Sequence, residues 1–264
     1  MENEAKSYAL ITGATSGIGL ELAKLFAQDE YNLVLVARSE QELVNVADEL
    51  RTNGREVITV VADLFNPDAH FSVYEEVKAY GIEVEVLVNN AGQGVYGKFI
   101  ETELQRELDI VQLNVSACIV LSKLFIKDMV QRGSGKVLNV SSIAGKIPGP
   151  YQAVYHGTKA FIHFFSEAIR SELKDTGVTV TSLLPGATDT DFFRKADMEE
   201  SKIVQDQELE DPAFVAKEGY EALMAGKDKV VTGFKNKMFV AMGNVSTDEA
   251  ATERMGDMQK PADQ

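Results

Sequence analysis

The chain has 264 residues, 45% of them hydrophobic and 25% charged. That composition fits a globular protein of one large or two small domains and excludes fibrous, collagenous and wholly disordered classes. Lys and Arg number 26 against 41 Asp and Glu, a formal net charge of −15. Such a chain repels a phosphate backbone, which excludes general nucleic-acid binding. Any anionic ligand must be held locally, by backbone N–H groups or a few placed cations.

In chain order, Tyr8–Thr12 predicts a first strand and residues 16–28 a helix. Residues 33–36 form an apolar strand. Residues 40–50 are helical, with Leu43, Val46, Ala47 and Leu50 on one face. Val57–Val61 is a third strand, and Pro67 opens the next helix at a favoured first-turn position. Residues 86–88 are a fourth strand, 104–130 a helix with a break, 137–140 a fifth strand, 155–173 a long helix and 178–184 a sixth strand. Asp211-Pro212 is a strong helix start, and residues 230–232 a last short strand. Ser246-x-x-Glu249 fits a capping box for a short helix.

Continuous apolar strands alternating with helices mean an α/β fold with a parallel sheet covered on both faces. We expect one domain over residues 1–233, with a lid-like loop at 188–209, and a charged C-terminal extension over 234–264. The single cysteine, Cys118, sits in Ala117-Cys118-Ile119-Val120 and reads as a buried, inert thiol. Met1-Glu2-Asn3-Glu4 is acidic and lacks an apolar segment, so no signal peptide is expected. No apolar run approaches the roughly 18 residues of a membrane helix. A cytoplasmic protein without a membrane partner is the expectation. His70, His156 and His163 lack metal-ligand spacing, so no metal site is expected.

Thr12-Gly13-Ala14-Thr15-Ser16-Gly17-Ile18-Gly19 follows the first strand and opens the first helix. A glycine-rich turn lets backbone approach a ligand closely, and the helix N-terminus offers free N–H groups to a pyrophosphate. A tight turn without a ligand is the competing reading. The second strand ends at Ala37-Arg38-Ser39, where a dinucleotide fold meets the adenosine ribose. An acid there favours NAD, and an Arg accommodates the 2′-phosphate of NADP. Arg38 therefore favours NADP(H) over NAD(H), against the reading of a solvated loop arginine.

Tyr155-x-x-x-Lys159 places a phenol and an ammonium on one helix face. The cation is expected to lower the phenol pKa and tune it for proton transfer to or from a substrate oxygen. Tyr74-x-x-x-Lys78 is a second copy. Ser142 precedes Tyr155 by thirteen residues and lies just past a strand end, where open α/β sheets bind ligands. The corresponding residue before Tyr74 is Val61, an apolar residue of the third strand. Tyr74 and Lys78 are therefore read as an exposed helix pair.

At these positions the chain resembles the short-chain dehydrogenase/reductase family, over about residues 6–233. The matching residues are Thr12-Gly13-x-x-x-Gly17-Ile18-Gly19, Asp63, Asn89-Asn90-Ala91-Gly92, Asn114, Ser142, Tyr155-x-x-x-Lys159 and Pro185-Gly186. Gly157-Thr158 stand where the family more often has Ala-Ser. The resemblance implies a Rossmann-like doubly wound parallel sheet of about seven strands. It implies that Tyr155 is the general acid/base, that Lys159 lowers its pKa and holds the nicotinamide ribose, and that Ser142 hydrogen-bonds the substrate oxygen. Asn114 would hold a relay water, or be a helix-kink amide without chemistry. Gly13, Thr15, Ser16, Gly17, Ile18, Gly19 and Arg38 would bind the cofactor's phosphates. Asp63 would meet the adenine, or be a plain turn residue. Asn90, Ala91 and Gly92 would line the cofactor cleft. Pro185 and Gly186 would turn the chain toward the nicotinamide, with Thr188 or Thr190 on its carboxamide.

The implied activity is NADP(H)-dependent interconversion of a carbonyl and an alcohol. A non-catalytic dinucleotide sensor, and an epimerase or dehydratase on the same fold, remain as alternatives. The substrate is expected to be a small carbonyl or alcohol in a largely apolar pocket near Val95, Tyr96, Pro148, Tyr151, Phe192 and Phe193. Met238, Met242, Met255 and Met258 are read as packing residues near a cleft or partner. Phe161, Ile162, Phe164, Phe165 and Ile169 cover much of the long helix. The resemblance implies that this helix and the region 113–130 build the interface of a homodimer or homotetramer.

Overall fold

The computed structural model describes residues 7–51, 55–206 and 208–262. The acidic Met1–Glu4 stretch lies outside the described residues. Seven strands form one parallel sheet in the order β3-β2-β1-β4-β5-β6-β7. They are β1 (Tyr8–Thr12), β2 (Asn32–Ala37), β3 (Val57–Val61), β4 (Val84–Asn89), β5 (Gly135–Val140), β6 (Val178–Leu184) and β7 (Lys229–Val231). The helices are α1 (Gly17–Gln28), α2 (Glu40–Leu50), α3 (Pro67–Ala79), α4 (Leu104–Val111), α5 (Ala117–Arg132) and α6 (Ala153–Leu173). They continue with α7 (Phe192–Lys195), α8 (Lys202–Gln205), α9 (Pro212–Met224), α10 (Phe234–Val245) and α11 (Asp248–Gln259).

Strand residues alternate between two cores, as a period of two requires. Ala9, Ile11, Leu33, Leu35, Val86 and Val88 meet Leu22 and Phe26 of α1, Leu43 of α2 and Val215 of α9 on one face. Leu10, Val34, Val36, Leu87, Val137 and Val180 meet Val73 of α3 and Leu121, Phe125 and Met129 of α5 on the other. This is the Rossmann-like doubly wound α/β architecture expected from the sequence.

The predicted helix break is a π-turn, Gln112–Ser116, between α4 and α5. The whole run Leu104–Arg132 is 29 residues long with a window of mean hydropathy 1.6, enough by length and composition to cross a membrane. That corrects the expectation that no segment comes near. Here its apolar side, through Leu113, Ala117, Leu121, Phe125 and Met129, packs on the sheet.

Helix starts follow the capping signals. Asn66 and Asp211 cap α3 and α9, each with Pro next in sequence. The capping box expected at Ser246 is displaced by one residue. Thr247 caps α11 by accepting the Ala250 N–H at 3.3 Å, whereas Ser246 donates back to the Met242 carbonyl at 2.8 Å. Residues 234–262, set apart in the sequence as a charged extension, form α10 and α11 and bury Val240, Ala251, Met255 and Gln259. The 188–209 loop contains two short helices over its own apolar cluster of Phe193, Ala196 and Met198.

A buried amide ladder ties the sheet to its helices. Asn89 and Asn139 are register partners on β4 and β5. Asn89 Nδ2 donates to Asn139 Oδ1 at 2.8 Å and to Ser122 Oγ of α5 at 3.0 Å. Asn139 Nδ2 donates to Ser166 Oγ of α6 at 2.9 Å. Truncating Asn139 removes a buried hydrogen bond from Asn89 of β4 and another from Ser166 of α6. We expect Asn139→Ala to cost about 2–4 kcal/mol in urea unfolding; an unshifted midpoint would show that the ladder carries no stability.

Candidate active site

The strand order reverses between β1 and β4. Open α/β sheets take ligands at the carboxyl ends of strands at such a point. A cavity of about 870 Å³ opens there, running from Arg38 to Met258.

Thr12 and Asn90 join the two strand ends. The Thr12 hydroxyl donates to the Val88 carbonyl at 3.3 Å and accepts the N–H groups of Asn90 and Ala91, each at 3.0 Å. Asn90 Nδ2 donates to the carbonyls of Thr12 and Gly13 at 2.9 and 3.2 Å. Gly13 adopts φ 66°, and a Cβ there would stand 3.1 Å from Ala91 Cα. A Cβ on Gly19 would collide with the Gly13 carbonyl and the Asn90 amide. These two positions therefore need glycine. Ser16 caps α1 in an extended conformation without a side-chain cap bond, and the first turn carries no acid. Its N–H groups remain available to an anion. Thr15, Ser16, Gly17 and Ile18 line the cavity, and the Thr190 methyl lies over Gly17, 2.8 Å from where a Cβ would be.

At the β2 end Arg38 is exposed, with its guanidinium 5.1 Å above the Phe65 ring. Glu42 lines the same end. Asp63 does not line the cavity; its carboxylate accepts the Phe65 N–H at 3.2 Å in the turn after β3. Ala62, Leu64 and Phe65 form that wall instead.

Past β5, Ser142 Oγ accepts the Ala144 N–H at 3.1 Å, donates to the Pro185 carbonyl at 3.2 Å and stands near enough to the Tyr155 hydroxyl to favour its ionised form. Ser141 points elsewhere: its hydroxyl donates to the Lys159 carbonyl at 2.7 Å, pinning α6 to the sheet. Lys159 Nζ donates to the Val140 carbonyl at 2.9 Å and lies 5.7 Å from the Tyr155 ring centre. Ser142, Tyr155 and Lys159 are all buried and all line the cavity. Thr188 and Gly186 line it too, and Thr188 Oγ1 donates to the Gly186 carbonyl at 3.0 Å.

Spacing alone led us to expect a lowered phenol pKa. Burial pushes the Tyr155 phenol well above its ordinary range, with the Ser142 hydroxyl acting the other way. Burial also holds the Lys159 ammonium down to about 8. The reason is common to both: a site closed to water disfavours phenolate and ammonium alike. Cys118 is buried and its thiol is pushed up to about 12, which fits the inert reading.

Asn114 sits in the π-turn. Its Oδ1 accepts the Gln93 N–H at 3.0 Å, and its Nδ2 donates to the Gln93 carbonyl at 2.9 Å and to Thr158 Oγ1 at 3.0 Å. The second Tyr-x-x-x-Lys copy is a surface cluster: Tyr74 and Lys78 both bind Asp128 of α5, with Lys78 Nζ at 3.0 Å.

Several cavity residues were not anticipated: Gln152, His156, Asn236, Phe239 and Gln259. Residues of α10 and α11 close the cavity from above. One available signal was the spacing of Ala251, Met255 and Met258, a helical stripe within charged sequence. Met255 and Met258 line the cavity, whereas Met238 and Met242 are exposed. Of the expected pocket residues, Phe192 and Phe193 line it, and Val95, Tyr96, Pro148 and Tyr151 do not. Tyr96 and Tyr151 stack on each other, and the Tyr96 hydroxyl donates to the Gln259 carbonyl at 2.6 Å. Among the described residues no group of three or more His, Cys, Asp or Glu is placed to hold a metal ion.

The family model for short chain dehydrogenases matches residues 7–201. The chain belongs to the short-chain dehydrogenase family. It is an oxidoreductase of that family. An uncharacterized oxidoreductase of Staphylococcus epidermidis is 31% identical over 216 residues, covering 82% of this chain and 93% of that protein. A very-long-chain 3-oxoacyl-CoA reductase of Mycosarcoma maydis is 39% identical over 181 residues, covering 67% of this chain; the match spans about half of that protein, 52%. Among solved structures, a short-chain dehydrogenase from Sphingobium yanoikuyae in complex with NADPH superposes with TM-score 0.81 at 28% identity, covering 90% of this chain and 93% of that one. A 7beta-hydroxysteroid dehydrogenase superposes with TM-score 0.83 at 27% identity, covering 94% and 96%.

The buried Lys159 makes a pH prediction for this dehydrogenase. Its folded pKa of about 8 lies below the ordinary lysine value of 10.5. Below pH 8 the ammonium is protonated in both folded and unfolded chains. Between 8 and 10.5 the unfolded chain holds a proton that the folded chain has lost, so stability rises with pH. Wild type should gain on Lys159→Met by up to about 3 kcal/mol across that window. A constant difference in denaturant midpoint would mean that Lys159 is not desolvated.

Proposed function

We propose that the protein is an NADP(H)-dependent reductase that interconverts a carbonyl and an alcohol, with Tyr155 as general acid/base. The observation that carries this reading is the convergence of Ser142, Tyr155 and Lys159 at one strand end, in the cavity that also reaches the Gly13–Gly19 turn.

The chain fits a dinucleotide. The α1 N-terminus and the Gly13 turn take the pyrophosphate. Arg38 takes the 2′-phosphate with paired hydrogen bonds, a shape that guanidinium suits. The NADPH complex of the Sphingobium relative supports this assignment. Asn90, Ala91, Gly92, Pro185, Gly186, Thr188 and Thr190 border the nicotinamide end. When bound, the nicotinamide supplies or receives the hydride.

Tyr155 gives its proton to the substrate oxygen as negative charge develops there, and takes it back in the reverse direction. Ser142 donates a hydrogen bond to that oxygen, which stabilises the same charge. Lys159 holds positive charge beside the phenol and favours its ionised form. Asn114 Oδ1 and Lys159 Nζ each lie 3.3 Å from where a Cβ on Gly92 would stand. Glycine there leaves both within reach of one relay water.

The test is consumption of NADPH over a panel of aldehydes and ketones, with NADH in parallel. Tyr155→Phe should lose at least about a hundredfold in kcat while retaining cofactor binding. Ser142→Ala should do likewise, and Ser141→Ala should lose far less. A protein that consumes no NADPH with any carbonyl is a sensor; one that converts substrate without net consumption is an epimerase or dehydratase. Arg38→Asp should weaken NADPH binding by at least roughly tenfold; unchanged binding would remove the basis for NADP(H) preference.

The outer face of α6, with Phe161 and Phe164 exposed, fits the interface of a homodimer or homotetramer. Phe164→Glu should then lower the mass measured by equilibrium sedimentation, and an unchanged mass would place any interface elsewhere.

A further inference from the structure

In the cavity wall formed by α6 and α11, three neutral polar side chains stand among apolar ones. His156 Nδ1 lies 2.7 Å from the Ile147 carbonyl oxygen. A carbonyl only accepts, so Nδ1 carries the proton. Burial holds this imidazole below the ordinary histidine range, so the ring is neutral and Nε2 is an acceptor. Gln259 Nε2 lies 3.0 Å from it, so Gln259 must present its NH₂ group there. The same NH₂ group donates to Gln152 Oε1 at 3.1 Å. One carbonyl thus sets the direction of every bond in the chain and fixes both amide orientations.

Two atoms are left over. Gln152 Nε2 and Gln259 Oε1 are buried and have no hydrogen-bond partner. Gln152 is 4% exposed and Gln259 3%, and both line the cavity. Leaving such groups unpaired is costly, and a native site that does so is expected to pair them with something it binds. The surroundings of the donor are defined. Gln152 Nε2 lies 3.0 Å, and Phe192 Cζ 2.8 Å, from where a Cβ on Gly94 would stand. The Phe192 ring is centred 5.0 Å from the ring of Tyr155. The free donor therefore lies beside the Phe192 ring, which packs against Tyr155. The free acceptor belongs to the Gln259 amide, whose NH₂ group is bonded to Gln152 Oε1.

We propose that Gln152 and Gln259 form a second polar subsite for a hydroxyl group on an otherwise apolar carbonyl substrate. The hydroxyl oxygen accepts from Gln152 Nε2 and its proton goes to Gln259 Oε1. A carboxylate could accept from the first but would be repelled by the second. An unsubstituted hydrocarbon would leave both unpaired. Phe193, Met198, Ile203, Phe239, Met255 and Met258 supply the apolar walls. The substrate class is thus a bulky apolar ketone bearing a second, unreacted hydroxyl. This inference rests on reading the cavity as a carbonyl-reducing site.

The experiment compares trans-decalone with its singly hydroxylated regioisomers. Binding to the full chain is read by calorimetry in the presence of NADP⁺, which cannot reduce a ketone. Turnover is read separately as NADPH consumption. At least one isomer should bind roughly tenfold tighter than the parent and show a similarly higher kcat/KM. In Gln152→Met that preference should fall to about twofold or less, through KM more than kcat. If no isomer binds more tightly than the parent to the wild-type chain, the subsite is overturned, and turnover of the parent would leave the reductase reading standing. A binding preference without turnover supports the subsite and overturns the reductase reading. A preference that survives in Gln152→Met overturns the assignment to Gln152.

Discussion

The join between Thr12 and Asn90 is the constraint on which the rest of the cleft depends. Parallel strands wind outward in both directions from β1 and β4, so their ends would part without a cross-link. The Thr12 hydroxyl makes three hydrogen bonds to main chain and the Asn90 amide two. That leaves no room for side chains at Gly13 or Gly19, and it fixes where the N-terminus of α1 points. One residue earlier, Asn89 bonds across to Asn139 of β5, whose strand delivers Ser141 and Ser142. The N-terminus of α1 and the Ser142 end of the cavity are therefore both positioned from two adjacent asparagines.

The second constraint is the burial of Lys159. An ammonium without a carboxylate partner in a closed site is unfavourable. Here it is held by the Val140 carbonyl, and its own main chain is held by Ser141. Such a cation gains from any event that moves negative charge toward it, including ionisation of the phenol 5.7 Å away. Desolvation raises the pKa of Tyr155 and lowers that of Lys159 for the same physical reason, so each group's ionisation favours the other's. The sequence spacing gives their proximity. It does not give the dryness of the site, because closure depends on Phe192 and on α10 and α11, which are remote in the chain.

What was legible in the sequence was local. Tyr8–Thr12, Val57–Val61 and Val178–Leu184 are strands with the predicted bounds, because β-branched apolar runs bounded by turn residues have few other uses in a covered sheet. Ser142 was separable from Ser141 only through the thirteen-residue interval to Tyr155; in the fold the Ser141 hydroxyl turns to the Lys159 carbonyl and that of Ser142 to the Pro185 carbonyl. The helix break was legible, but its form was not. A π-turn is dictated by what Asn114 bonds to on Gln93 and Thr158, and neither partner is near it in sequence. Ser246 and Thr247 are equally good caps on paper. The Met242 carbonyl claims Ser246, which leaves Thr247 to start α11. Tyr96 and Tyr151 looked like pocket residues because they are aromatic and near the strand ends, but they stack on each other and do not line the cavity.

The roof was illegible for a related reason. The contacts that fasten α11 to the rest of the fold are long-range. Gln259 bonds Gln152, His156 and Tyr96, at separations of 107, 103 and 163 residues. The Lys260 carbonyl accepts the Lys202 N–H, and the Ala262 N–H reaches the Glu200 carbonyl. One short stretch thus fastens the long α6 helix, the 188–209 loop and the turn after β4 together over the cavity. Periodicity cannot reveal such a strap, since its residues are chosen by what they meet across the fold. The net charge of −15 misleads in the same region. It marks the surface as acidic, while the roof contacts α6 through uncharged amides and a neutral imidazole. The lining of that wall can therefore select by hydrogen-bond direction and shape, independently of the acidic surface that surrounds it.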